Sequence, residues 1–143
     1  MDGITEKIKG LAEFAEADDL EYQEYQVCGL LETADDKEKY IPYILELMEN
    51  NPLAEWGCPG GLVHFMESYN TDIYEKLLKE SIKRCPTMHT LIMINRICNA
   101  KSGNERNEYI SILKNVAEGD YTEKYVSETA MELLEYQLEN HVT

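Results

Sequence analysis

The stretch EWGCPGGLVHFMESY, Glu55 to Tyr69, gathers the residue types that could do chemistry: a cysteine, a histidine and a glutamate beside a glycine-rich turn. Cys58 and His64 could form a thiolate–imidazolium pair, and Gly57, Gly60 and Gly61 could present backbone N–H groups to an anion at a helix start. The spacing favours a plainer reading. G-C-P-G-G lacks the pattern of a phosphate-binding loop or a dinucleotide fingerprint and follows no predicted strand. His64 and Glu67 are three apart and share a helix face, but H-x-x-E is not the E-x-x-H of carboxylate-bridged di-iron bundles. The chain has only His64, His89 and His141 as histidines, and no C-x-x-C joins Cys28, Cys58, Cys85 and Cys98. No catalytic residue, metal or cofactor is therefore expected. A rigid turn explains the glycines and Pro59, and burial as small apolar groups explains the thiols. The alternative is a small enzyme or ligand-binding protein using Gly57–Glu67, which requires an open pocket beside that loop.

The elements that would position these residues are helical. Ile4, Ile8, Leu11 and Ala15, widened by Phe14, predict an amphipathic helix over about residues 3–16. Leu20, Val27, Leu30 and Leu31 mark a second. A third carries Tyr40, Ile41, Ile44, Leu45 and Met48, opened by a capping box of Asp35 with Glu38 and kinked by Pro42 inside it. Leu62, Val63, Phe65 and Met66 begin a fourth that stops near Asn70. Ile73, Leu77, Leu78 and Ile82 give a fifth, capped by Thr71 or Asp72. The most apolar helix follows Pro86 with Leu91, Ile92, Ile94, Ile97 and Cys98. Tyr109, Ile110, Leu113 and Val116 make a seventh ending at Gly119. Asp120 with Glu123 then caps an eighth through Tyr125, Ala130, Leu133, Leu134 and Leu138. No segment alternates with period two, so about eight helices in antiparallel pairs predict one all-α domain over residues 1–143. Its architecture is a HEAT-like right-handed solenoid or a compact helical bundle, and a kink at Pro42 tilts the choice toward the solenoid.

Asn95 and Asn99 share one stripe of the sixth helix with Arg96 beside them. A buried guanidinium needs a carboxylate to offset its desolvation, and Glu67 is the candidate. His64 would join the same structural polar cluster, tying the fourth helix to the sixth.

The formal charge of −15 is the largest signal in the composition. It repels nucleic acid and anionic lipid, attracts basic proteins, and favours a monomer when free. Residues 1–56 hold 15 acids and 4 bases, residues 57–103 hold 4 and 6, and residues 104–143 hold 9 and 3. Nine acids and no base lie between Lys9 and Lys37. No run reaches the roughly 18 apolar residues of a membrane span, and the start is polar, so a soluble cytoplasmic protein with no membrane or nucleic-acid partner is expected.

The run WGCPGGLVHFMESY, followed by YEKLLKESIKRCPTMHTLIMINRICN, resembles small α-helical bacterial proteins related to the immunity proteins of polymorphic-toxin and contact-dependent growth inhibition systems. The likeness rests on G-x-P-G-x-(L/I)-V-H-F-(I/M)-E at Gly57–Glu67 and on Pro86, Thr87, Met93, Asn95, Arg96 and Asn99 of a later P-T segment. It spans about residues 53–100, roughly a third of the chain. The resemblance implies a cytoplasmic antidote that binds a cognate toxin domain and performs no chemistry, with the motif residues as scaffold.

On that reading the acidic N-terminal half docks on a basic toxin domain, above all a nuclease, whose site must carry Lys and Arg to attract phosphates. Aromatic residues among the acids would supply the lasting contact. The interface expected is Glu13, Glu16, Asp18, Asp19, Glu21, Tyr22, Glu24, Tyr25, Asp35 and Asp36. Tyr40 and Tyr43 fit better as core residues with the hydroxyl at the rim. A general helical scaffold for protein interactions is a third reading.

Overall fold

Asp2 opens the first helix. Its carboxylate accepts the Thr5 N–H at 2.8 Å, filling one of the free donors at a helix start, and α1 runs Gly3–Gly10. The computed structural model describes residues 2–57, 60–68 and 71–140. The periodic stretch expected as one helix tightens after Gly10 into a 3₁₀ turn, Leu11–Phe14, before the Ala17–Asp19 turn delivers α2, Leu20–Glu32.

Asp36 then takes a left-handed conformation, φ 47°, which stops any helix beginning at Asp35. A 3₁₀ turn, Lys37–Tyr40, leads into α3, Ile41–Asn50, and Asp36 makes no side-chain capping bond. Pro42 consequently sits in the first turn of α3, where a missing N–H removes no helical bond. The expected interior kink is absent, and with it the reason for favouring a solenoid. The remaining helices are α4 (Gly61–Glu67), α5 (Thr71–Arg84), α6 (Met88–Ala100), α7 (Gly103–Ala117) and α8 (Lys124–Asn140). Thr87 and Thr90 form a reciprocal capping box at the start of α6. Asp120 lies too far before Lys124 to cap α8.

The protein is all-α: every regular element among the described residues is helical. Two compact units follow one another along the chain, Met1–Cys85 and Pro86–Thr143.

In the first unit, α1 packs on α2 and α3, α2 on α4, and α5 on α3 and α4. Ile8, Leu31, Ile41, Ile44, Met48, Trp56, Leu62, Met66 and Leu78 are removed from solvent, each such side chain contributing roughly 1.5–3 kcal/mol of burial. Polar ties also join distant parts of this unit. The Tyr40 hydroxyl donates to Asp2 Oδ2 at 3.0 Å. The Leu62 N–H donates to Glu24 Oε2 at 3.2 Å. Glu49 accepts from Arg84 Nε at 2.8 Å, from Arg84 Nη2 at 2.6 Å and from Ser81 Oγ at 2.7 Å.

In the second unit, α6, α7 and α8 each pack on the other two around Leu91, Ile94, Cys98, Tyr109, Leu113 and Ala130. No helix among the described residues is long and apolar enough to cross a membrane.

Candidate partner-binding surface

The sequence of α2 divides its faces. Leu20, Glu24, Val27 and Leu31 recur at intervals of four, three and four and are all buried; the outward positions carry Glu21, Tyr22, Tyr25, Gln26, Gly29, Leu30 and Glu32. Nine of the ten residues expected at the interface lie on the solvent side: Glu13, Glu16, Asp18, Asp19, Glu21, Tyr22, Tyr25, Asp35 and Asp36 are exposed.

Glu24 is the correction. It occupies the one polar place in the buried stripe, 5% exposed, and accepts the Leu62 N–H at the start of α4. Burial pushes its carboxyl up from the ordinary 4.5 to about 7, the Leu62 N–H pulls the other way, and the nearby Glu21 charge adds to the rise. Its place is a structural clasp between α2 and α4, so it is unavailable as a docking charge.

Tyr22 and Tyr25 are 60% and 73% exposed, unusual for side chains that gain so much from burial. Tyr40, by contrast, is buried with its hydroxyl on Asp2, as expected of a core tyrosine. That bond, the Thr5 N–H and Lys39 at 3.4 Å hold the Asp2 carboxyl well below the usual carboxylate range, the Thr5 N–H contributing most. Tyr43 is half-buried under the Lys9 ammonium, 5.4 Å from its ring centre.

Two hollows flank α2. At its N-terminal end a cleft of about 600 Å³ opens between the Ala15–Glu21 turn and the Leu53–Gly57 loop, with Glu16, Asp18, Glu21, Glu24 and Glu55 in its walls. Along its side a groove of about 800 Å³ separates α2 from α1 and the 3₁₀ turn, lined by Leu11, Phe14, Tyr22, Val27 and Leu30 among others. The first offers charge, the second apolar surface.

The glycine-rich loop is accounted for by packing. Gly57 has φ 88°, a left-handed conformation that favours glycine. A Cβ on Gly60 would stand 1.7 Å from the Trp56 carbonyl oxygen, and one on Gly61 would stand 2.8 Å from Cys28 Sγ. Burial, with the charges of Glu24 and Glu32, pushes the Cys28 thiol up to about 12; burial likewise raises Cys98 to about 11. Both are protonated at neutral pH and poor nucleophiles. Cys58 and Pro59, on which the thiolate reading rests, lie outside the described residues.

The expected polar cluster falls on both units. In the first, His64 Nδ1 stands 3.8 Å from Glu67 Oε1, with the imidazole largely exposed. In the second, Asn95 and Asn99 both accept from Gln137 Nε2, at 2.6 and 2.9 Å, while Arg106 Nη2 donates to the Gln137 side-chain and backbone oxygens, each at 2.9 Å. Gln137 is fully buried. The partner that organises the two asparagines is thus Gln137 of α8. Arg96 is half-buried on α6.

No family model matches the chain, and no curated protein or solved structure matches it either.

Proposed function

We propose that this chain is a binding protein, an immunity protein that neutralises a cognate toxin domain, with a basic nuclease as the favoured partner. One observation carries the reading: Tyr22 and Tyr25 stand in solvent on a helix whose surroundings, Glu13 to Asp36, hold nine acids and no base. Exposed aromatic residues supply affinity when covered, and the surrounding carboxylates speed encounter with a cationic surface. The likeness of Gly57–Glu67 and Pro86–Asn99 to immunity proteins supports the same assignment.

The test is binding to the toxin-like domain encoded beside this chain in its host, measured at two salt concentrations. Asp18→Lys, Asp19→Lys and Glu21→Lys together should slow association at least tenfold at low salt, and Tyr22→Ala with Tyr25→Ala should speed dissociation. Glu24 is left intact because its loss acts on the fold. Unchanged kinetics in both variants, with the partner still bound, would move the contact to another face.

A further inference from the structure

We infer that the groove between α1, the 3₁₀ turn and α2 is the seat for one amphipathic helix of the partner, apolar where it enters and carrying Lys or Arg along its flanks. This rests on the reading of a basic protein partner and specifies what that partner inserts.

The floor of the groove is apolar, with Leu11 and Val27 buried and Phe14 half-buried, and its lip carries Tyr22 and Leu30, 60% and 41% exposed. Gly10 and Gly29 also line it. Neither has a positive φ, and a Cβ at either would meet no atom within 4 Å. Turn geometry and internal packing therefore give no reason for glycine at either place. Gly29 lies well inside α2, where glycine costs about 1 kcal/mol against alanine. A missing side chain that costs helix stability and opens only onto a groove suits close approach by something from outside.

The occupant's form follows from the walls. Two helical segments side by side line the groove with Leu11, Phe14, Val27 and Leu30, an arrangement that accepts the apolar face of a third helix through side chains at i, i+3, i+4 and i+7. Its charge follows from the rim. Glu6 and Glu13 face Lys7 alone among the lining residues, and beyond the groove α2 exposes Glu21 and Glu32 and carries no base. An acidic or neutral helix would meet repulsion or no steering, whereas a basic flank is drawn to Glu6 and Glu13 on the α1 edge.

The test uses the full chain and three fluorescein-labelled 18-residue peptides: leucine and lysine at helical amphipathic spacing, the same composition scrambled, and the amphipathic pattern with glutamate replacing lysine. Anisotropy gives affinity, and amide chemical shifts give location. The amphipathic basic peptide is expected to bind at least tenfold more tightly than either control and to shift Gly10, Tyr22, Gly29 and Leu30. Gly29→Trp should fill the groove and weaken that peptide at least tenfold while the thermal midpoint holds or rises. Leu30→Ala, on the exposed lip, should weaken it about threefold and serves if the tryptophan variant does not fold.

Equal binding of the scrambled peptide, with shifts confined to Glu16–Glu21, would overturn the groove and leave the basic-partner reading standing. Full affinity in both variants would also overturn the groove. Failure of every basic peptide to bind at millimolar protein would overturn both.

Discussion

Replacing Glu24 by glutamine separates its charge from its role as a clasp. The amide keeps the size of the side chain and an oxygen for the Leu62 N–H, but it cannot ionise. The native carboxyl titrates near 7 against an ordinary 4.5, so the folded state holds this proton more tightly than the unfolded chain does. Its stabilising contribution is complete below about pH 4.5, declines as pH rises and is gone above about 7. At about 1.36 kcal/mol per pH unit the shift is worth roughly 3 kcal/mol. Glu24 also borders the open cleft, and water there screens the charge and reduces the penalty to about 1–2 kcal/mol.

Glu24→Gln should therefore match the wild type within about 0.5 kcal/mol at pH 4.5 and exceed it by about 1–2 kcal/mol at pH 8.5. Urea unfolding followed by Trp56 fluorescence measures this: Trp56 is the sole tryptophan, is fully buried, and its carbonyl faces Gly60 beside the clasp. With an m-value near 1 kcal/mol/M for a unit of this size, the midpoint at pH 8.5 should rise by about 1 M or more. A difference between variant and wild type that stays flat from pH 4.5 to 8.5 would refute the argument. Titration of groups distant from Glu24 is common to both proteins and cancels.

Gly60→Ala should cost at least about 2 kcal/mol in the same assay, because its methyl would enter the Trp56 carbonyl; a neutral result would rule out that close approach. Arg84→Met should cost about 1 kcal/mol at pH 7. Burial raises the Glu49 carboxyl, but hydrogen bonds from Arg84 and Ser81 outweigh it and hold the group below its ordinary 4.5, so this loss should vanish only as pH falls below that value. Gln137→Leu should cost about 1–2 kcal/mol by leaving Asn95 and Asn99 without their common donor, while Arg106 Nη2 keeps the residue 137 backbone oxygen, read as a lowered midpoint of helical circular dichroism. Iodoacetamide at pH 8 should modify Cys28 and Cys98 far more slowly in native protein than in urea, since both thiols are raised well above that pH.

Helical identity was legible because apolar residues at a period of 3.6 survive any tertiary arrangement. Ile44, Leu45 and Met48, like Leu91, Ile94 and Cys98, read as inward stripes and are buried. Boundaries were less so. Asp35 and Glu38 have capping-box spacing, yet the left-handed turn at Asp36 sets α3 to begin at Ile41, and pattern alone does not register one backbone dihedral. For Glu24, residue type points to the surface and position to the interior, and position decides. Leu20, Val27 and Leu31 had already marked its stripe as inward, and a carboxylate there needs an internal donor; which donor was not readable, since Leu62 is 38 residues away. The role of Gln137 is illegible for the same reason, its partners at Asn95 and Asn99 being fixed only by how α8 lies against α6. The solvent position of Tyr22 and Tyr25 follows from the same helical arithmetic that buries Leu20 and Val27.

Polar ties of the first unit overlap along the chain, among them Asp2 with Tyr40, Glu24 with Leu62, and Glu49 with Arg84. Each begins before the previous one closes, so a break in the backbone anywhere from residue 2 to residue 84 separates the partners of at least one. Any shorter fragment of this unit should accordingly be less stable than the whole. Trimming back past Arg84 releases Glu49, and starting after Asp2 uncaps α1 and frees Tyr40. A split-protein sensor cut within it would have to reassemble by noncovalent clasps alone, which makes such a sensor reversible by design.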